Sequence, residues 1–432
     1  MSSSASLAQL AERLLQCTRE IETYQIETYQ RLPESTGKPL APANARADLL
    51  ELTHELQVRV QSPSEFLERC QMQYQTFSCL RWLLTFDIFV LVPLDSSPIS
   101  YADLARAAAV PLPRLRSVTR MAMTSGLFAE PSPGLVSHSA LSMAMAKDAA
   151  LRDWSTFITH YGAPSAACLA EATRKWGDST AKNETAFNVS EDTTLAFFDF
   201  VARRPGMADE FSRYMQSQGR SEGTRLEHLV AGYDWSRLGD RAHVVDVGGS
   251  TGFTALALAR ANPGFTFTVQ DLPEAIASSS SSSATLVDLD PQVAARLQFV
   301  AHDFFDPQPV LQGSPPVDAY LLRKILHDWP DSGARRILCR LGAAIEASGR
   351  LGARIIIMDT ILPPPGSTGR IQEAGLRVRD LVMAQNFNSK ERELGEWEEL
   401  FASVVPKLRL FGWKQPPGSV MAVLDVGLAG SS

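Results

Sequence analysis

HVVDVGGSTGF, residues 243–253, joins an apolar run to a glycine-rich turn and then to a helical pattern. The valine-rich run predicts a buried strand. Gly248, Gly249 and Gly252 predict a turn at its carboxyl end, where a ligand can approach the backbone closely. The spacing is DxGxSxG, not the GxGxxG of a dinucleotide site, and such a loop alone leaves the ligand open. Four more short apolar runs follow: FTFTVQDL (265–272), LQFVAHDFF (297–305), AYLLRKIL (319–326) and RIIIMDTIL (354–362). Helical or loop segments lie between most of them. Alternating strand and helix predict a mainly parallel, doubly wound α/β sheet over residues 241–432. The serine run 278–283 reads as a flexible insertion in one connection.

Acids stand where these strands end. Asp271, nineteen residues past Gly252, can accept hydrogen bonds from ribose hydroxyls. Asp303 and Phe304 suit an adenine amine and face. Asp246 suits a ligand with positive charge better than a pyrophosphate. Together these point to an adenosyl ligand without a second nucleotide, and a sulfonium amino acid fits best. The fourth run leads into ILHDWPD, residues 325–331. From the residues alone this is a metal site, a catalytic base, or a strand running into a capped helix. Asp328 is expected to point away from its neighbour in a capping role, and Trp329 to pack. Pro330 and Asp331 suit the first turn of a helix. A metal is disfavoured, because no second imidazole or cysteine lies nearby.

Upstream, residues 1–60 read as a helical arm that contains the tandem pentad IETYQIETYQ, residues 21–30. Residues 31–44 read as a loop. Residues 61–140 hold a helix, helix, hairpin rhythm: SYADLARAAAV with Ser100 as N-cap, then PLPRLRSVTRMAMTSG with Gly126 as a stop, then LFAE, PSPG and LVSHS. This is a winged-helix pattern. Its second helix offers only Arg114, Arg116 and Arg120, so packing or dimerisation is favoured over DNA binding. Residues 141–240 read as a helical linker rich in aromatics. Trp176, Phe197 and Met215, with Met123 and Phe157, are candidates for an apolar acceptor pocket.

Composition is that of a soluble globular protein. The 432 residues are 45% apolar and 21% charged, with a net charge of -7 and a pI near 5.6, which argues against a nucleic-acid partner. No apolar run reaches the ~18 residues of a membrane span. The N-terminus lacks the basic segment of a signal peptide. Five scattered cysteines without CxxC spacing suggest reduced thiols and a cytoplasmic location.

VVDVGGSTG, VQDLP, HDFF, LLRKILHDWPD, IIIMDTILP and KERE, in that order, resemble the cation-independent plant and fungal O-methyltransferases of the caffeic acid O-methyltransferase type. The fungal branch that methylates phenolic polyketides, such as the sterigmatocystin O-methyltransferases, is the most similar. The resemblance runs over roughly residues 65–425. It implies a C-terminal Rossmann-like class I methyltransferase domain and an N-terminal, mostly helical winged-helix domain that forms a homodimer. It implies S-adenosylmethionine as methyl donor, a phenolic acceptor and no metal. By position, Asp246, Gly248 and Gly249 fall in the donor loop, Asp271 on the ribose, and Asp303 and Phe304 on the adenine. Arg323 stands where many plant members have a cofactor-contacting lysine. His327 falls on the base, with Asp359 and Glu391 on the two acids that position it. A phenol of pKa about 10 is a poor nucleophile while protonated, and a histidine near its usual ~6.5 could take the proton. Ser250 departs from the family's third glycine, and donor binding is expected to survive if its φ is negative.

Overall fold

Each apolar run predicted from residue 243 onward forms a strand, because β-branched and apolar side chains pack well on a pleated, buried surface. The computed structural model describes residues 5–31, 43–282, 290–311, 313 and 315–430. The chain divides into two compact units, Met1–Ser78 with Pro363–Val378, and Cys79–Leu362 with Arg379–Ser432.

The first unit is helical. Helix Leu7–Arg31 takes in the whole pentad duplication and packs on helix Ala43–Val60. Glu51 accepts the amide hydrogens of Ile371 and Gln372, at 3.1 and 2.9 Å. Its carboxylate thus caps the positive end of helix Arg370–Phe387. The expected loop at 31–44 lies almost entirely outside the described residues.

The second unit begins with the winged-helix segment. Ser100 caps helix Tyr101–Ala107 by accepting from the Asp103 amide, and Gly126 turns the chain at φ 81° after helix Leu112–Met123. Strands β1 (Ile99–Ser100), β2 (Ala129–Ser132) and β3 (Leu135–Ser137) pair antiparallel in the order β1-β3-β2. Leu83, Phe89, Leu104, Leu115 and Val136 form the core of this segment.

The main sheet contains β4 (His243–Val247), β5 (Thr266–Asp271), β6 (Leu297–Ala301), β7 (Ala319–Arg323) and β8 (Arg354–Asp359). A small parallel pair joins β9 (Ile361–Leu362) to β10 (Arg392–Glu393). The main sheet is completed by β11 (Leu408–Lys414) and β12 (Ala422–Leu428), which the sequence reading missed. The order is β11-β12-β8-β7-β4-β5-β6, with β12 running against its neighbours. The chain steps from β4 outward to β5 and β6, then returns to the other side of β4 for β7 and β8. The crevice beyond the carboxyl end of β4 is therefore a topological switch point, the usual place for a ligand in an open α/β sheet. Serines 278–282 do not interrupt a connection as expected; they continue helix Pro273–Ser282. No helix among the described residues is long and apolar enough to cross a membrane.

Candidate active site

The glycine turn follows β4 directly. Gly248 sits at φ 71°, and a β-carbon there would lie 2.6 Å from Ile325 Cδ1. A β-carbon on Gly249 would lie 2.6 Å from Asp246 Oδ2. Both positions need glycine for want of space. The condition placed on Ser250, a negative φ, is not met; its φ is 49°. A non-glycine residue there is strained, and the turn holds it by donating the Ser250 amide to Asp271 at 2.8 Å.

Asp246 is buried, and its Oδ2 has no hydrogen-bond partner. Burial pushes its pKa up to about 7, against the pull of the Ala255 amide and the Arg323 charge. At the end of β5 the Asp271 carboxylate accepts from Leu272 and Ser250, which leaves lone pairs on both oxygens. Asp303, past β6, accepts from the Phe305 amide at 2.9 Å. Phe304 lies edge-on to Trp329, 5.7 Å between centroids. Arg323 ends β7; one of its terminal nitrogens donates to the Thr224 carbonyl at 2.6 Å, and its Nε is buried without a partner.

His327 lies in a 3-10 turn, Leu326–Asp328, just past β7. Its Nδ1 is 2.9 Å from Glu391 Oε1 and 3.2 Å from Asp359 Oδ1. Both acids are almost fully buried. Asp359 ends β8, and Glu391 immediately precedes β10. Asp328 does not point away as expected: the tight turn brings its Oδ1 to 3.6 Å from His327 Nε2. Burial by itself would lower the imidazole pKa. The carboxylates of Asp359, Glu391 and Asp328 outweigh it and raise the value to about 10. Burial in turn raises Asp359 to about 6, against the pull of the imidazolium. The expectation of a histidine near its ordinary value is corrected by this cluster. Ligand atoms of His327, Asp359 and Glu391 lie within 4.8 Å of one another, close enough to suggest a metal. With one imidazole, whose Nδ1 is at hydrogen-bond distance from both acids, the arrangement is instead that of an oriented acid–base group.

Arg392, which the sequence reading passed over, holds this turn. Fully buried, it donates to the carbonyls of Leu326 and Trp329 and to the Asp331 carboxylate, all at 2.8–2.9 Å. The pocket candidates divide. Phe197 and Phe157 share an aromatic cluster with Phe187, Met207, Met383 and Phe387. Met123 packs in the winged-helix core, Trp176 ends a helix beside Lys175, and Met215 is 37% exposed. Met383 and Phe387 were missed. Their four-residue spacing in helix Arg370–Phe387 was the signal that could have found them.

Residues 169–404 match the model of the O-methyltransferase domain family. The O-methyltransferase pgmB of Aspergillus terreus is 48% identical over 84% of this chain and 99% of its own length. The O-methyltransferase VdtC of Byssochlamys spectabilis is 45% identical over 91% of this chain and 88% of its own. The solved structure of OxaC with sinefungin and meleagrin aligns with a TM-score of 0.73 over 96% of this chain and 99% of OxaC, a likeness in fold at 19% identity.

Proposed function

The chain belongs to the O-methyltransferase domain family, and on that footing we propose that it methylates a phenolic hydroxyl of an aromatic, polyketide-derived small molecule, with His327 as the base. S-adenosylmethionine, when bound, supplies a methyl group made electrophilic by its sulfonium. The residues at the carboxyl edge fit this donor. Asp246 Oδ2 and Arg323 Nε are buried polar atoms without partners, suited to a cationic group and an acceptor atom. Asp271 has lone pairs for ribose hydroxyls, and Asp303 with Phe304 suits an adenine. Gly248 and Gly249 leave the space that side chains would fill.

His327 carries the chemistry. With Nδ1 hydrogen-bonded to Glu391 and Asp359 close beside it, Nε2 is the atom left to meet the acceptor hydroxyl. At neutral pH the imidazole already holds a proton, so the histidine–phenol pair must first lose one. A phenol has a pKa of about 10, and His327 is raised to about 10. The two therefore compete evenly for the remaining proton. In the reacting state it rests on Nε2, and the phenolate is the nucleophile. The carboxylates stabilise the imidazolium, which then releases its proton to water.

The observation that carries this reading is the imidazole held between two buried acids beside the glycine turn. Its test is turnover with S-adenosylmethionine and a panel of phenolic polyketides, with and without EDTA, for wild type and His327→Ala. EDTA-resistant methylation, read as product mass and S-adenosylhomocysteine, should disappear in a variant that still binds the donor. Methylation that persists in the variant would sink the role of His327. The same reading includes a homodimer. Exposed Leu50, Val60, Phe66, Leu67, Met72 and Tyr74 on helices Ala43–Val60 and Pro63–Thr85 support it, and a monomer mass by light scattering would refute it.

A further inference from the structure

We propose that Lys182 is a specificity-determining residue, whose ammonium, seated between Trp329 and Phe387 beside the His327 turn, binds a second, ionised oxygen on the acceptor ring, ortho or peri to the one that is methylated. This rests on the phenolic reading above and narrows it to di-oxygenated aromatics.

Lys182 lies on the loop between helices Leu169–Trp176 and Ala186–Ser190. That loop is pinned. The Asn388 side chain donates to the carbonyls of Ala181 and Glu184, at 2.7 and 3.1 Å, on either side of Lys182. The lysine Nζ lies 3.8 Å from the Trp329 ring centroid and 5.0 Å from that of Phe387. It donates one hydrogen to the Asp328 carbonyl, the residue after His327. An ammonium has three donors. Among the described residues no carboxylate forms an ion pair with this one, and Asp328 acts on it only from further off. Burial pushes its pKa down to about 8, and the more distant Asp328 charge only partly offsets this.

A cation half stripped of water, given two π faces and one carbonyl, has donors left over and a charge left uncompensated. Holding the turn does not require it, since Arg392 already binds the carbonyls of Leu326 and Trp329. Phe387 belongs to the aromatic cluster with Phe157 and Phe197, while Asp328 belongs to the histidine turn. The ammonium therefore stands where an apolar wall meets the reacting group. An anionic oxygen on a flat aromatic ligand is the partner that position suits.

The test compares kcat/KM for 1-naphthol, 2,3-dihydroxynaphthalene and 1,8-dihydroxynaphthalene in wild type, Lys182→Met and Lys182→Arg. The methionine variant should lower the preference for a diol over the mono-ol by on the order of tenfold, mainly through KM. The arginine variant should restore part of it. Equal loss on all three substrates, or an unchanged ratio, overturns the proposal: Lys182 then only braces the turn. If Lys182→Met does not fold, Lys182→Arg and Lys182→Gln carry the same comparison. A wild type that binds S-adenosylmethionine and methylates none of the three fails the phenolic reading itself, and this proposal falls with it.

Discussion

Replacing Glu391 by glutamine tests whether the acids set the proton affinity of His327 or merely aim it. The glutamine keeps a carbonyl oxygen for Nδ1 to reach, so orientation changes little. It removes one of the three negative charges around the ring, the one at 2.9 Å. Two unit charges about 4 Å apart interact by about 4 kcal/mol at an effective dielectric of about 20. Part of that is returned, because the loss of Glu391 eases the ionisation of Asp359, which Glu391 otherwise opposes. A net change of about one to three pH units follows. Imidazole protonation then falls from about 10 toward its ordinary value.

The assay is kcat/KM against pH between 6 and 10.5 with one phenolic acceptor, read as S-adenosylhomocysteine. In wild type the rate should climb with pH, because one proton must leave the histidine–phenol pair before transfer. In Glu391→Gln the imidazole half of that requirement eases about one to three pH units lower. The plateau should drop as well, since a weaker base takes the phenol proton less readily. A plateau that drops while the nitrogen-15 titration of His327 stays in place would refute the electrostatic account. Glu391 would then act by orientation alone.

Two further outcomes follow from the same geometry. His327→Leu leaves Asp359 and Glu391 buried without their cation, which should cost about 3–5 kcal/mol in urea melts. A raised folded pKa stabilises fully below the unfolded value of 6.5 and is lost as pH rises through about 10, so the gap to wild type should narrow on the alkaline side. It should also narrow on the acid side, as the unpartnered Asp359 takes up a proton; a gap independent of pH would contradict the pairing. Ser250→Gly should stabilise the protein by about 0.5–1 kcal/mol by relieving the left-handed backbone, with donor affinity by calorimetry within about twofold. A lower melting temperature would mean that the serine is not strained.

The sequence made strands legible where apolar runs were short and bounded, as at β4 and β8, and caps legible where a hydroxyl preceded an amphipathic run, as at Ser100. It failed at β11 and β12. The run of β12, AVLDVGL, is buried throughout and carries no period that separates strand from helix, and nothing local says that the strand runs antiparallel. Ser250 could be named as the odd residue of the loop, but its φ is held by the hydrogen bond its amide donates to Asp271 across the turn. Asp328 was misread because adjacent residues usually diverge, whereas a 3-10 turn folds this carboxylate back toward the ring. His327, Asp359 and Glu391 are far apart in the chain, so only the family resemblance joined them. The proton affinity that the surrounding carboxylates give His327 had no signature at all.

What unites the site is the order in which strands meet. The chain makes β4, β5, β6, β7 and β8 in turn, but the sheet sets them side by side as β8-β7-β4-β5-β6. Read along the carboxyl edge, that order gives Asp359, then Arg323 and His327, then Asp246 and the glycine turn, then Asp271, then Asp303. The acid–base group therefore sits on the strand next to the glycine turn, one strand from the switch point, although some eighty residues separate them in sequence. Burial raises each acid along this edge, and a different neighbour offsets it in each case. Asp246 is raised to about 7 with Arg323 near, Asp359 to about 6 against an imidazolium, and Asp271 is raised while holding two amides. A sheet that joined its strands in chain order would move β7 and β8 beyond β6. The imidazole would then be three strands from the glycine turn, and no local sequence motif could restore the contact.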